Sequence, residues 1–169
     1  QEGICVCHPG LAEAIDQGLE GDEVLHIFLG SHSFKTVRVR VQDGQGVAQN
    51  YAEALKWYQL AASRGNAVAQ TNIGRMYELG RGVQRNAAEA VKWYRLGAAQ
   101  GYPRALTNLG AMYDTGAGVP KNPSEALKLY HQAADQGYPR AQNILGLMYE
   151  EGEGVNQDYT EALKWYRMA

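Results

Sequence analysis

From Tyr51 onward the apolar residues fall at helical rather than alternating positions. Tyr51, Ala54, Leu55, Tyr58, Ala61 and Ala62 sit at i, i+3, i+4, i+7, i+10 and i+11, the stripe that one face of an amphipathic helix buries. This helix, B, is followed by Gly65, and its later copies by Gly101 and Gly137. A glycine just past a helix end takes the left-handed backbone that stops a helix without a Cβ clash. A second helix, A, carries Ala69, Ile73, Met76 and Tyr77, then Ala105, Leu109, Met112 and Tyr113, then Ala141, Leu145, Met148 and Tyr149. Pro103 and Pro139 open two copies of helix A, where the missing N–H would have had no partner. Gly80, Gly116 and Gly152 mark its end. Gly74, Gly110 and Gly146 recur in mid-helix, at about 1 kcal/mol each relative to alanine, so a neighbouring helix is expected to approach closely there.

The pattern repeats without a gap. Gly46-Val47, Gly82-Val83, Gly118-Val119 and Gly154-Val155 are each 36 residues apart. In register with them run Glu53-Ala54-Leu55-Lys56-Trp57-Tyr58 and three copies beginning at Glu89, Glu125 and Glu161. Gly-x-Gly-Val is read as a turn between helices A and B, ending in residues such as Asn122-Pro123-Ser124-Glu125 that favour a helix start. One pair of short antiparallel helices cannot bury its own stripe, so successive pairs must stack. The predicted fold is an all-α repeat, an α-solenoid over residues 44–169 with three clear units and partial copies at the ends.

Ala-x-x-Asn-Leu-Gly-x-Met-Tyr at Ala105 to Tyr113, the Gly-x-Gly-Val link and Glu-Ala-Leu-Lys-Trp-Tyr-x-x-Ala-Ala together resemble the Sel-one-like repeat family, a subclass of the tetratricopeptide-like repeats. The resemblance covers about three-quarters of the chain. It implies an adaptor or scaffold that binds a protein or peptide client, without naming the client. Some secreted bacterial relatives have a disulfide in every repeat and are associated with penicillin binding, but these repeats contain no cysteine. A penicillin-interacting, hydrolase-like protein is therefore the weaker alternative. An immunity or inhibitor protein that blocks a single toxin or enzyme is another.

Residues 1–43 depart from the repeat. Val37, Val39 and Val41 alternate with basic residues as in a strand, Val24 to Leu29 reads as a second strand, and Leu11 to Leu19 as a short helix. This αββ-like segment is expected to be a diverged cap, part of a preceding domain, or the result of a sequence error. At the other end Leu163, Trp165 and Tyr166 are expected to be uncovered, so that the natural protein continues or this end meets another molecule. The start at Gln1 rather than Met fits a processed product, with periplasmic, secreted and cytoplasmic locations all open.

Composition narrows the function by exclusion. A formal net charge of −2 with dispersed Lys and Arg offers no field for nucleic acid, and no stretch approaches a membrane span. Cys5 and Cys7 are too close for an unstrained mutual bond, and with His8 they fall short of the four ligands of a closed zinc site. No metal or other cofactor is expected. His26, His32 and His131 are scattered and assemble no triad, and the Gly-x-Gly-Val turns lack the lysine of a nucleotide loop. The Glu53/Lys56, Glu89/Lys92, Glu125/Lys128 and Glu161/Lys164 pairs recur in every copy, as i,i+3 helix-surface support does and an asymmetric catalytic site does not. Trp57, Trp93 and Trp165 likewise repeat at one position and read as packing between repeats. The chain is not expected to be an enzyme.

In a solenoid one face of every helix A lines the inner surface, which is where tetratricopeptide-like proteins contact ligands. Stepping one residue back from the core stripe gives Val68, Thr71, Asn72, Arg75 and Glu78, then Arg104, Thr107, Asn108, Ala111 and Asp114, then Arg140, Asn143, Ile144, Leu147 and Glu150. These are the candidate partner-binding residues. Arg104 and Arg140 share one repeat position, so their guanidinium groups, with Asn108 and Asn143 nearby, are candidates to grip a carboxylate while the amides hold a peptide backbone.

Overall fold

The computed structural model describes residues 23–29, 33–39 and 45–169, with side chains from Tyr51 onward except Glu53. Two strands, β1 (Glu23–Leu29) and β2 (Ser33–Val39), pair antiparallel with Glu23 opposite Val39 and Leu29 opposite Ser33. Seven helices follow: α1 (Gln45–Ala62), α2 (Ala67–Leu79), α3 (Ala87–Ala99), α4 (Pro103–Thr115), α5 (Pro123–Ala134), α6 (Pro139–Glu151) and α7 (Tyr159–Met168). The odd-numbered helices are the B copies and α2, α4 and α6 the A copies. The expected helix over 11–19, together with Cys5, Cys7, His8 and His32, lies outside the described residues, as do the side chains of His26 and Glu53.

Each A-to-B link is built in the same way. Gly116 ends α4 at φ 74°, and its N–H donates to the Met112 carbonyl. Six residues later Asn122 caps α5, its side chain accepting from the Glu125 N–H at 3.1 Å while its own N–H donates to the Tyr113 carbonyl at 2.8 Å. Asn86 and Asp158 cap α3 and α7 in the same way. These bonds satisfy helix-terminal groups that water would otherwise hold and fix the angle at which B returns along A. Gly118, at φ 73°, sits so close to the Ala87 backbone that no side chain fits, so this link packs onto the first turn of α3; Gly154 likewise faces Pro123 at the start of α5, whereas Gly82 faces Tyr51 and Ala52 within α1.

Helix A and the B helix that follows it form the most extensive contacts. The recurring glycines explain how: a Cβ on Gly74 would lie 2.7 Å from the Tyr94 ring, and one on Gly110 2.7 Å from the Tyr130 ring. Gly146 faces Tyr166 in the same manner. Tyr94 and Tyr130 are consequently buried, within a core that also takes in Val91, Leu106, Leu109, Leu129, Leu145, Met148 and Trp165. A smaller cluster forms around Ala62, Ala69 and Ile73, with Trp93 against it.

Two expectations need correction. Gly46-Val47 is not a turn: α1 begins at Gln45, so the first Gly-Val pair lies inside a helix. Trp165 is not uncovered but buried, its ring meeting His131 edge-on at 5.3 Å between centroids, whereas Leu163 is 49% exposed. The Lys92–Glu89, Lys128–Glu125 and Lys164–Glu161 pairs close at 2.7, 3.2 and 2.6 Å on the helix surface, as their repetition predicts.

Candidate functional site

The fifteen helix A positions separate by depth. Thr71 and Thr107, 1% and 0% exposed, donate their hydroxyls to the carbonyls of Ala67 and Pro103 four residues earlier. Thr71 also lies 2.8 Å from where a Gly97 Cβ would stand, as does Ala105 of α4, so this position sits where α2, α3 and the next pair's α4 meet. These two threonines cannot meet a client. In α6 the same position is Asn143, which is exposed. Asn72, Asn108 and Arg104 are also buried rather than open, at 7%, 8% and 5% exposure. The reason is common to all of them: α2 is flanked by α1, α3 and α4, and α4 by α2, α3 and α5, and helical spacing alone does not show which flank a neighbour covers.

The remaining positions form a surface. Val68, Arg75, Glu78, Ala111, Asp114 and Ile144 are half-buried, and Arg140, Asn143, Leu147 and Glu150 are exposed. Arg140 lies over α4, where one guanidinium nitrogen donates to the Asn108 side-chain oxygen at 3.5 Å. Arg104 lies beneath. Burial pulls its pKa down, the neighbouring Tyr138 works against that, and Arg140 adds to the lowering. The sequence-based juxtaposition of Arg104, Arg140 and Asn108 is thus present, with Arg104 at depth and Arg140 at the surface.

Helical spacing along helix A gives no sign of the helix B tyrosines that reach this face. Tyr94 reaches across Gly74 and donates its hydroxyl to Glu78, and Tyr166 crosses Gly146 and donates to Glu150 at 2.6 Å. Tyr130 crosses Gly110 and feels the charge of Asp114. The acidic residue of each helix A therefore stands beside a phenol from helix B. A signal was available in the sequence: each mid-helix glycine precedes such a tyrosine by 20 residues. Tyr58 meets Asn72 instead.

Burial raises the Tyr58 pKa to about 12 despite the Asn72 amide, and the Glu150 carboxylate raises Tyr166 to about 12 through its hydrogen bond. Burial, followed by Glu78, pushes Tyr94 well above its usual value, and burial, followed by Asp114, does the same for Tyr130. A group that binds its proton more tightly when folded contributes stability below its unfolded pKa and loses it as pH rises through the folded value. Urea melts at rising pH are therefore expected to show stability falling steadily from about pH 10, the ordinary tyrosine value, through pH 12. A Tyr94→Phe variant should fall less steeply; equal slopes would mean that Tyr94 ionises freely in the folded chain.

No group of His, Cys, Asp and Glu among the described residues is placed to hold a metal ion, and no described helix is long and apolar enough to cross a membrane. The stacked A–B pairs, the glycine–tyrosine crossings and the capped links all recur at the family's unit length. The Sel1 repeat model matches residues 40–66, 67–102, 103–138 and 139–169. The chain belongs to the Sel1 repeat family. A solved Sel1 repeat protein from Oxalobacter formigenes is 40% identical with a TM-score of 0.66, over 72% of this chain and 48% of that one. A protective antigen of uropathogenic Escherichia coli strains, displaying an SLR fold, is 42% identical with a TM-score of 0.67, over 74% of this chain and 27% of that one. This chain therefore spans about half the length of the first and about a quarter of the second. Helicobacter pylori cysteine rich protein B is 20% identical with a TM-score of 0.56, over 75% of this chain and 90% of that one, and shares the fold. Comparison with the curated proteins returns no match. Sel1 repeats form helical scaffolds that typically mediate protein interactions.

Proposed function

We propose that this Sel1 repeat chain is a scaffold or adaptor that takes a protein or peptide client on the helix A face, the inner surface of the solenoid. In this reading residues 44–169 are the binding unit and residues 1–43 a separate N-terminal piece. The supporting observation is that charged groups on this face are held in place by other helices: Arg140 by Asn108 of α4, and Glu150 by Tyr166 of α7. A side chain already ordered before binding loses less entropy when a partner arrives. The penicillin-interacting alternative draws on relatives with cysteine in each repeat, a feature these repeats lack.

Capture experiments with the chain as bait test the face. Arg140→Glu and Leu147→Asp alter exposed groups on α6, whereas Lys92→Glu with Lys128→Glu alters the outer surface of the B helices, where those lysines are 68% and 70% exposed. A client retained by the wild type and the lysine variant, and lost by both α6 variants with an unchanged melting curve, is the expected result. Loss through the lysine variant alone would move the binding surface to the B helices.

A further inference from the structure

Arg140 is an exposed guanidinium on the proposed client face, and it forms no ion pair among the described residues. Its one hydrogen bond among the described residues, to Asn108, is long at 3.5 Å and engages one nitrogen. Of the five N–H donors of an arginine, most remain available. Arg104, a like charge that is 5% exposed, lies close enough that the opposition of the two contributes to the lowering of the Arg104 pKa. The contact of Arg140 with Asn108 of α4 places its guanidinium over the middle of the three A helices. A positioned fork of donors favours a planar anion that accepts two parallel hydrogen bonds.

The surroundings define the anion's carrier. One turn beyond Arg140 lies half-buried Ile144, and two turns beyond lies Leu147, 48% exposed. Seven helical residues rise about 10 Å, the span of about three residues of extended chain. On the other side the face continues through half-buried Arg75 and Glu78 of α2, so a segment crossing Arg140 has side chains of the same face to meet beyond it.

Resting on the scaffold reading above, we propose that Arg140 anchors the side-chain carboxylate of an internal Asp or Glu in an extended client segment, with an apolar residue about three positions away seated on Ile144 and Leu147. The test uses the full chain and fluorescent nonapeptide pools, acetylated and amidated, with a fixed Glu or Gln, a Leu three positions on and the other positions randomised. Anisotropy should show the Glu pool binding more tightly than the Gln pool by about 30-fold or more, the usual consequence of a charge-assisted contact at an interface. Arg140→Gln should erase that difference and Lys128→Gln should keep it. A third pool, with Gln and a free C-terminal carboxylate, distinguishes the source of the anion: binding equal to the Glu pool would overturn the internal residue in favour of a chain terminus. If the two capped pools bind equally and Leu147→Asp abolishes both, the anchor is wrong and the face reading stands. If no pool binds, the anchor is overturned, and the capture experiment decides the face independently.

Discussion

Gly110→Val is expected to lower the thermal midpoint by about 6–12 °C, the equivalent of about 3 kcal/mol in a chain of this size. A Cβ at this position would stand 2.7 Å from Cε1 and 3.0 Å from Cδ1 of Tyr130. That ring cannot swing aside, because Tyr130 is 2% exposed and packed within the main core. Valine therefore pushes α5 away from α4, and the damage spreads into the neighbouring seams. Helix propensity works in the opposite direction, since valine is better than glycine in a helix interior by a few tenths of a kcal/mol, too little to offset the overlap. Gly146→Val makes the comparison: its partner Tyr166 is only half-buried at the end of the row and has room to yield, so the loss should be smaller. Circular dichroism melts of the two variants check this. Equal midpoints would show that the glycine–tyrosine crossing tolerates a side chain at both places.

The helices, their stop signals and the mid-helix glycines were legible in the sequence because each depends on local chemistry repeated at one spacing. Asn122 caps α5 and Gly116 ends α4 whatever surrounds them. The first Gly-Val pair was misread for the same reason. Gly46-Val47 carries the motif but not the environment that makes it a turn, since no helix A ending in an αL glycine precedes it among the described residues. On the candidate face, spacing placed Thr71, Thr107 and Asn143 in one class, yet two are sealed in seams and one is open. A helical wheel describes one helix, whereas burial here is decided by the next pair in the row. The tyrosine hydroxyls were missed because each belongs to the core stripe of helix B, and only the gap left by a glycine on another helix lets its polar end reach Glu78 or Glu150.

Arg104 and Arg140, equivalent in sequence, are expected to respond oppositely to charge reversal. Arg140→Glu changes an exposed group and should leave stability within about 0.5 kcal/mol. Arg104→Glu places a carboxylate on a shorter side chain at a position 5% exposed, where the desolvation cost of a charge not met by well-placed donors is about 3–5 kcal/mol. The opposite charge of Arg140 nearby recovers part of this, but its guanidinium is held over α4 by Asn108 and would have to be drawn inward. Arg104→Met separates charge from volume: a flexible apolar chain of similar length fills the same space without burying a carboxylate, and a loss smaller than that of Arg104→Glu is expected. Urea unfolding of the three variants at neutral pH reads the difference directly. Should Arg104→Glu unfold with the same midpoint as Arg140→Glu, Arg104 reaches water and belongs to the surface after all. Should Arg104→Met cost as much as Arg104→Glu, the guanidinium itself holds α4 in place. If the expected order holds, loss of a client after reversing both arginines together would mix unfolding with binding, so that the single Arg140 variant is the one that reports on the face.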